Sequence, residues 1–118
     1  MHQRFDEWVR RYVKAWNSNA REDIESLFAV TGLYYTEPYA QPWRGRKQIV
    51  EGWLEQKDEP GDTEFSFEVV AVEGELGVVR GTTDYKSSGK SYSNLWLIRL
   101  DGEAQAVEFV EYWMLIKE

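Results

Sequence analysis

The chain has 118 residues, a formal net charge of −7, no cysteine, a single histidine and an aromatic content of 15%, including six Trp and seven Tyr. That length holds one domain with a real core, and the acidic balance argues against a surface for nucleic-acid phosphates or a basic membrane-binding face. With no cysteine there is no disulfide or thiol chemistry, and with His2 as the only imidazole a His-ligated metal or a Ser-His dyad is disfavoured.

The first element is a helix. Phe5, Trp8, Val9, Tyr12, Val13 and Trp16 recur at spacings of three and four and form one apolar stripe, while Arg4, Glu7, Arg10, Arg11 and Lys14 fall largely outside it. Asn17-Ser18-Asn19 ends it, and Asn19 followed by Glu22 predicts a capping box at the start of a short second helix. That helix turns Ile24, Leu27 and Phe28 inward and ends by Thr31-Gly32. A third helix is predicted from about Arg46 to Lys57, with Ile49, Val50, Trp53 and Leu54 as its apolar face, and Asp58-Glu59-Pro60-Gly61-Asp62 then breaks the chain as a polar turn.

From Thr63 the period becomes two. Phe65, Phe67, Val69 and Ala71 alternate with Ser66, Glu68, Val70 and Val72 in a strand that ends at Glu73-Gly74-Glu75. Further strands are predicted from Leu76 to about Lys86, from Ser91 to Leu100 and from Ala104 to Ile116, with Asp101-Gly102 as a hairpin signal between the last two. Helices followed by an antiparallel meander predict an α+β domain with the helices on one face of a curved sheet. No segment approaches the ~20 apolar residues of a membrane span, and no apolar run of signal-peptide length stands near the N-terminus, so a cytoplasmic protein is expected.

Between the second and third helices lies Leu33 to Gly45, LYYTEPYAQPWRG. Glu37 stands just before Pro38, among four aromatic side chains and with no basic neighbour until Arg44. A carboxylate so placed reads either as the acidic group at the mouth of an apolar pocket or as a solvated turn residue paired with Arg44 or Arg46. In the last strand Phe109, Glu111 and Trp113 share one face. Glu111 interrupts an apolar face and therefore requires water or a partner, either in a pocket wall or in a salt bridge to Arg80 or Arg99.

The order helix, helix, short strand, helix, four long strands resembles the nuclear transport factor 2-like superfamily, which includes SnoaL-like polyketide cyclases and ketosteroid isomerases. RRYVKAWN in the first helix, SLFA in the second, YYTEP followed by PWRG, and RLDG before a strand ending VEYWM carry the resemblance, which spans nearly the whole chain. It implies a cone-shaped, cystatin-like α+β fold, with three N-terminal helices packed on a curved, mainly antiparallel sheet. It also implies a pocket lined by Trp16, Trp53, Asn94, Trp96, Phe109, Glu111 and Trp113. By similarity to the isomerases, Glu37 before Pro38 matches the general base and Tyr12 in Arg11-Tyr12-Val13 the oxyanion donor. The position of their second, protonated acid falls on Trp96, whose indole donates one hydrogen bond and does not titrate. The cyclase acid after Trp113 is replaced by Met114.

The implied function is that of a small-molecule pocket protein, an isomerase, cyclase or dehydratase acting on a hydrophobic carbonyl compound by carboxylate base catalysis. The contrasting expectation is a non-catalytic ligand-binding or assembly domain. No metal or organic cofactor is implied. Strand parity places Val70, Val72, Leu95, Leu97, Val110 and Tyr112 on the outer face of the sheet, which predicts a homodimer through that face.

Overall fold

The computed structural model describes residues 2–116. Three helices, α1 (Gln3–Ser18), α2 (Arg21–Glu25) and α3 (Gly45–Glu55), accompany strands β1 (Phe28–Tyr35), β2 (Trp43–Arg44), β3 (Thr63–Glu73), β4 (Leu76–Tyr85), β5 (Ser91–Leu100) and β6 (Ala106–Leu115). The strands form one sheet in the order β2-β1-β6-β5-β4-β3, antiparallel throughout except for the parallel pair β1 and β6. No helix among the described residues is long and apolar enough to cross a membrane.

Helix α1 buries Phe5, Trp8, Val9, Tyr12 and Ala15, the stripe that its three-and-four spacing predicts. Trp8 is fully buried and donates its indole N–H to the Leu27 carbonyl at 3.0 Å, so the largest core side chain carries no unsatisfied polar group. The capping box is not formed. Asn19 instead closes α1, in the left-handed region with φ of 50°, and donates its backbone N–H to the Ala15 carbonyl. Its side chain is thereby freed for contacts described below.

Helix α2 is a single turn, and β1 begins at Phe28 where helix was expected to run to Gly32. The cause is tertiary: Phe28 packs edge-on against Trp8, and the Ala106 N–H bonds the Leu27 carbonyl, drawing the segment into parallel pairing with β6. At Gly32 a Cβ would meet the Ala106 carbonyl oxygen at 2.8 Å, so only glycine allows this approach. A second glycine acts similarly in α3, where a Cβ on Gly52 would lie 2.4 Å from the Trp43 indole.

Two details of the meander differ from the periodic reading. A β-bulge between Val69 and Ala71 reverses the alternation, so Val72 packs against the core and leaves the outer face. The β5–β6 connection is longer than an Asp-Gly hairpin: Asp101 Oδ1 accepts the N–H groups of Glu103 and Gln105, and Ala104 takes the positive φ of 58°. Val70, Leu95 and Tyr112 remain exposed on the outer face. His2 lies within hydrogen-bond distance of the Val69 carbonyl through Nδ1.

Candidate functional site

The helices and the inner face of the sheet line an open cavity of about 690 Å³, in which neither Phe5 nor Ile98 takes part. Its inner end is built from the pleat. Residues 94 and 96 of β5 point to the same face, and register pairs Trp96 directly with Glu111 of β6. Asn94 Nδ2 donates to Glu111 Oε2 at 2.8 Å and Trp96 Nε1 donates to the same oxygen at 3.1 Å. Thr83, from the matching face of β4, donates its hydroxyl to Asn94 Oδ1 at 2.8 Å, which fixes the amide so that its N–H points at the carboxylate. Oε1 of Glu111 accepts no hydrogen bond among the described residues.

Burial raises the Glu111 pKa above the usual carboxylate range; the bonds from Trp96 and Asn94 oppose the shift, and the Asp58 charge adds to it. Neither arginine considered as its partner reaches it. Arg80 pairs with Glu68 and Arg99 with Glu108.

Opposite this carboxylate, the hydroxyls of Tyr12 (α1) and Tyr34 (β1) meet at 2.7 Å. One donates to the other, and the acceptor keeps its own proton for a ligand. Both are almost fully buried, and burial pushes both phenols above their ordinary pKa, Glu111 contributing through its charge. They stay neutral donors at any ordinary pH. The Tyr12 ring lies 4.7 Å from Trp96 between ring centres, so the ring that carries one hydroxyl packs against the indole that binds Glu111.

A second carboxylate lies in the α3–β3 connection. Asp58 Oδ2 accepts from Trp16 Nε1 at 2.9 Å and from the Tyr85 hydroxyl at 3.3 Å. Asn19 holds this wall in place: its Nδ2 donates to the Asp58 carbonyl and its Oδ1 accepts from Trp53 Nε1, each at 3.1 Å.

The sequence-derived residues distribute unevenly over this geometry. Tyr12, Trp16, Trp53, Asn94, Trp96 and Glu111 all line the cavity, and Trp113 does so at its half-exposed rim. Phe109 does not. It is fully buried, stacked between Tyr12 and Tyr34 in the layer beneath, because the cavity ends one residue pair higher on β6. Glu37 reaches the mouth but is exposed, and the partly buried carboxylate of the inner wall is Glu111. Arg46 bonds the Phe28 carbonyl and Gln105, and no ion pair between Glu37 and Arg44 or Arg46 is formed. Asp84 is exposed and accepts from Ser91 on the outer side.

Tyr34, Asp58, Thr83 and Tyr85 were not read as site residues. Thr83 and Tyr85 follow Val79 and Gly81 at period two, a signal that would have placed them inside and Asp84 outside. Asp58 stands in a run of turn residues and carries no such signal. Among the described residues no three His, Asp or Glu side chains group in a way that would hold a metal ion.

The SnoaL-like domain model matches residues 9–115. The chain belongs to the SnoaL-like family. Solved structures agree on the fold. A nuclear transport factor 2-like protein of unknown function from Mesorhizobium loti is 22% identical, with 95% of this chain and 92% of that one covered and a TM-score of 0.71. A nuclear transport factor 2-like protein of unknown function from Burkholderia xenovorans is 13% identical, covering 99% and 88%, with a TM-score of 0.77. A candidate ketosteroid isomerase from Kribbella flavida is 15% identical, covering 98% and 82%, with a TM-score of 0.73. No curated protein matches the chain. Within this SnoaL-like domain the helices and the curved mixed sheet are thus shared with these structures, whereas the side chains lining the cavity belong to this chain.

Proposed function

We propose that this SnoaL-like protein is a small-molecule enzyme that moves a proton on an apolar carbonyl compound, with Glu111 as the base. The carrying observation is the Glu111 carboxylate inside the cavity, one oxygen held by Asn94 and Trp96 and the other free of protein donors. Glu111 Oε1 takes a proton from the carbon next to the carbonyl, and the C–H electron pair moves into an enolate. The enolate oxygen accepts a hydrogen bond from the Tyr12–Tyr34 pair, a donor already oriented and desolvated before charge develops. Return of the same proton to another carbon completes an isomerisation; loss of a β-substituent instead completes an elimination. Both are redox-neutral and need no cofactor. Burial suits Glu111 to this task, because a base with higher proton affinity gives more driving force for abstraction.

Glu37, at the exposed mouth, is assigned to substrate entry in this scheme. A second reading, ligand binding without turnover, is favoured by one observation: the Trp96 N–H is already engaged by Glu111, which leaves the tyrosine pair as the buried donor for a carbonyl oxygen among the described residues. The deciding experiment is deuterium exchange at the α-carbon, followed by NMR in heavy water across aryl ketones and enones. Exchange catalysed by the wild type and lost in Glu111→Gln supports the enzyme; saturable binding of the same compounds without exchange supports the binding module.

A further inference from the structure

The partly buried charge inside the cavity is one-sided. Asp58 and Glu111 both line it, and each is held only by neutral donors: Trp16 and Tyr85 on one, Asn94 and Trp96 on the other. In both cases the two hydrogen bonds go to a single oxygen, so one oxygen of each carboxylate accepts no bond among the described residues. All five ion pairs among the described residues lie elsewhere, at Asp6, Asp23, Glu68, Glu64 and Glu108. Lys57 and Lys90 also line the pocket, but both are exposed side chains on connecting segments and neither pairs with either carboxylate. Buried or half-buried carboxylates ordinarily acquire a cationic partner, because desolvation is otherwise uncompensated.

Much of the rest of the wall is aromatic. Trp16, Trp53 and Tyr85 surround the Asp58 end, and Tyr12, Tyr34 and Trp96 the Glu111 end. Indole and phenol faces attract ammonium groups, and most strongly where water is excluded. A negative net charge of −7 also favours encounter with a cation over an anion.

We propose that the ligand is an organic cation, a protonated or quaternary amine carried on an apolar body, with its charged nitrogen at the Asp58 end of the cavity. In this arrangement Asp58 and the neighbouring rings anchor the ammonium, and the apolar body extends toward Tyr12 and Glu111. This deepens the reading of the cavity as a small-molecule site, naming the substrate class as an amine-bearing carbonyl compound.

The test uses a shape-matched pair, phenyltrimethylammonium and tert-butylbenzene, titrated into the intact protein and followed by tryptophan fluorescence. The ammonium is expected to bind at least about fivefold more tightly. In Asp58→Asn, whose amide oxygen still accepts from Trp16 and Tyr85, that preference should collapse while binding of tert-butylbenzene is unchanged. Equal binding of the two by the wild type, binding of neither, or a preference untouched by Asp58→Asn overturns the proposal. The catalytic reading fails separately. Exchange of neutral ketones lost in Glu111→Gln, with no ammonium preference, would sink the cation and leave the base. An ammonium preference without exchange of any ketone would do the reverse.

Discussion

Replacing Glu111 by glutamine tests the base assigned from the structure against Glu37, the base that the family resemblance implies. The substitution preserves shape, and the glutamine Oε1 can accept both bonds now donated by Asn94 Nδ2 at 2.8 Å and Trp96 Nε1 at 3.1 Å. No buried donor is orphaned, so the fold and the affinity for a neutral ketone should hold, with Kd within about threefold. What is lost is the acceptor for the α-proton. A positioned general base contributes roughly 10²–10⁴-fold in rate, which is about 2.7–5.5 kcal/mol of barrier. Exchange catalysed by Glu111→Gln should therefore fall by at least about a hundredfold. Glu37→Gln, altering an exposed group at the mouth, should change the rate by less than about threefold. If Glu111→Gln kept its rate within about threefold, or if Glu37→Gln fell as far as expected here for Glu111→Gln, the assignment of the base from burial and hydrogen bonding would be refuted.

Stability measurements carry the remaining predictions. Asn19→Ala removes a left-handed helix cap and the bonds to Trp53 and Asp58, and urea denaturation should show a loss of about 1–3 kcal/mol; Asn19→Gly should recover the backbone part alone. Because the folded pKa of Glu111 is raised, the native state binds the extra proton first. Its contribution is fully present below the ordinary carboxylate pKa and is lost as pH rises through the folded value, so the stability difference between wild type and Glu111→Gln should shrink toward acid pH and reach a plateau above that value. Phe109→Ala, in the layer beneath the cavity, should cost about 3–5 kcal/mol, against less than about 1 kcal/mol for Trp113→Phe at the half-exposed rim. The exposed Val70, Leu95 and Tyr112 lead us to expect a homodimer through the outer sheet face, seen as twice the chain mass by light scattering and lost in Leu95→Lys; a monomeric wild type would refute it.

Local information carried much of this. Three-and-four spacing defines which face of α1 is buried, and period two defines that residues 94 and 96, and likewise 109, 111 and 113, share faces. Those patterns are visible because pleat and helix pitch act on near neighbours. Strand parity singled out Glu111 as a carboxylate on an apolar face, whereas Tyr12, Asn94 and Trp96 became candidates through the family resemblance.

What depends on contacts between distant segments was not legible. The pairing of Trp96 with Glu111 is a register between two strands, and it alone turns the indole from a substrate donor into a clamp on the base. The bulge after Val69 and the early start of β1 at Phe28 arise from strand pairing that overrides local preference. Asp58 becomes a cavity group only because Trp16 and Asn19 at the end of α1 and Tyr85 of β4 converge on its loop. Glu37 shows the converse. The sequence determined that a carboxylate precedes Pro38 among aromatic rings, but how much water reaches it depends on where the loop lies over the cone, and only the tertiary structure decided that it lies at the open mouth.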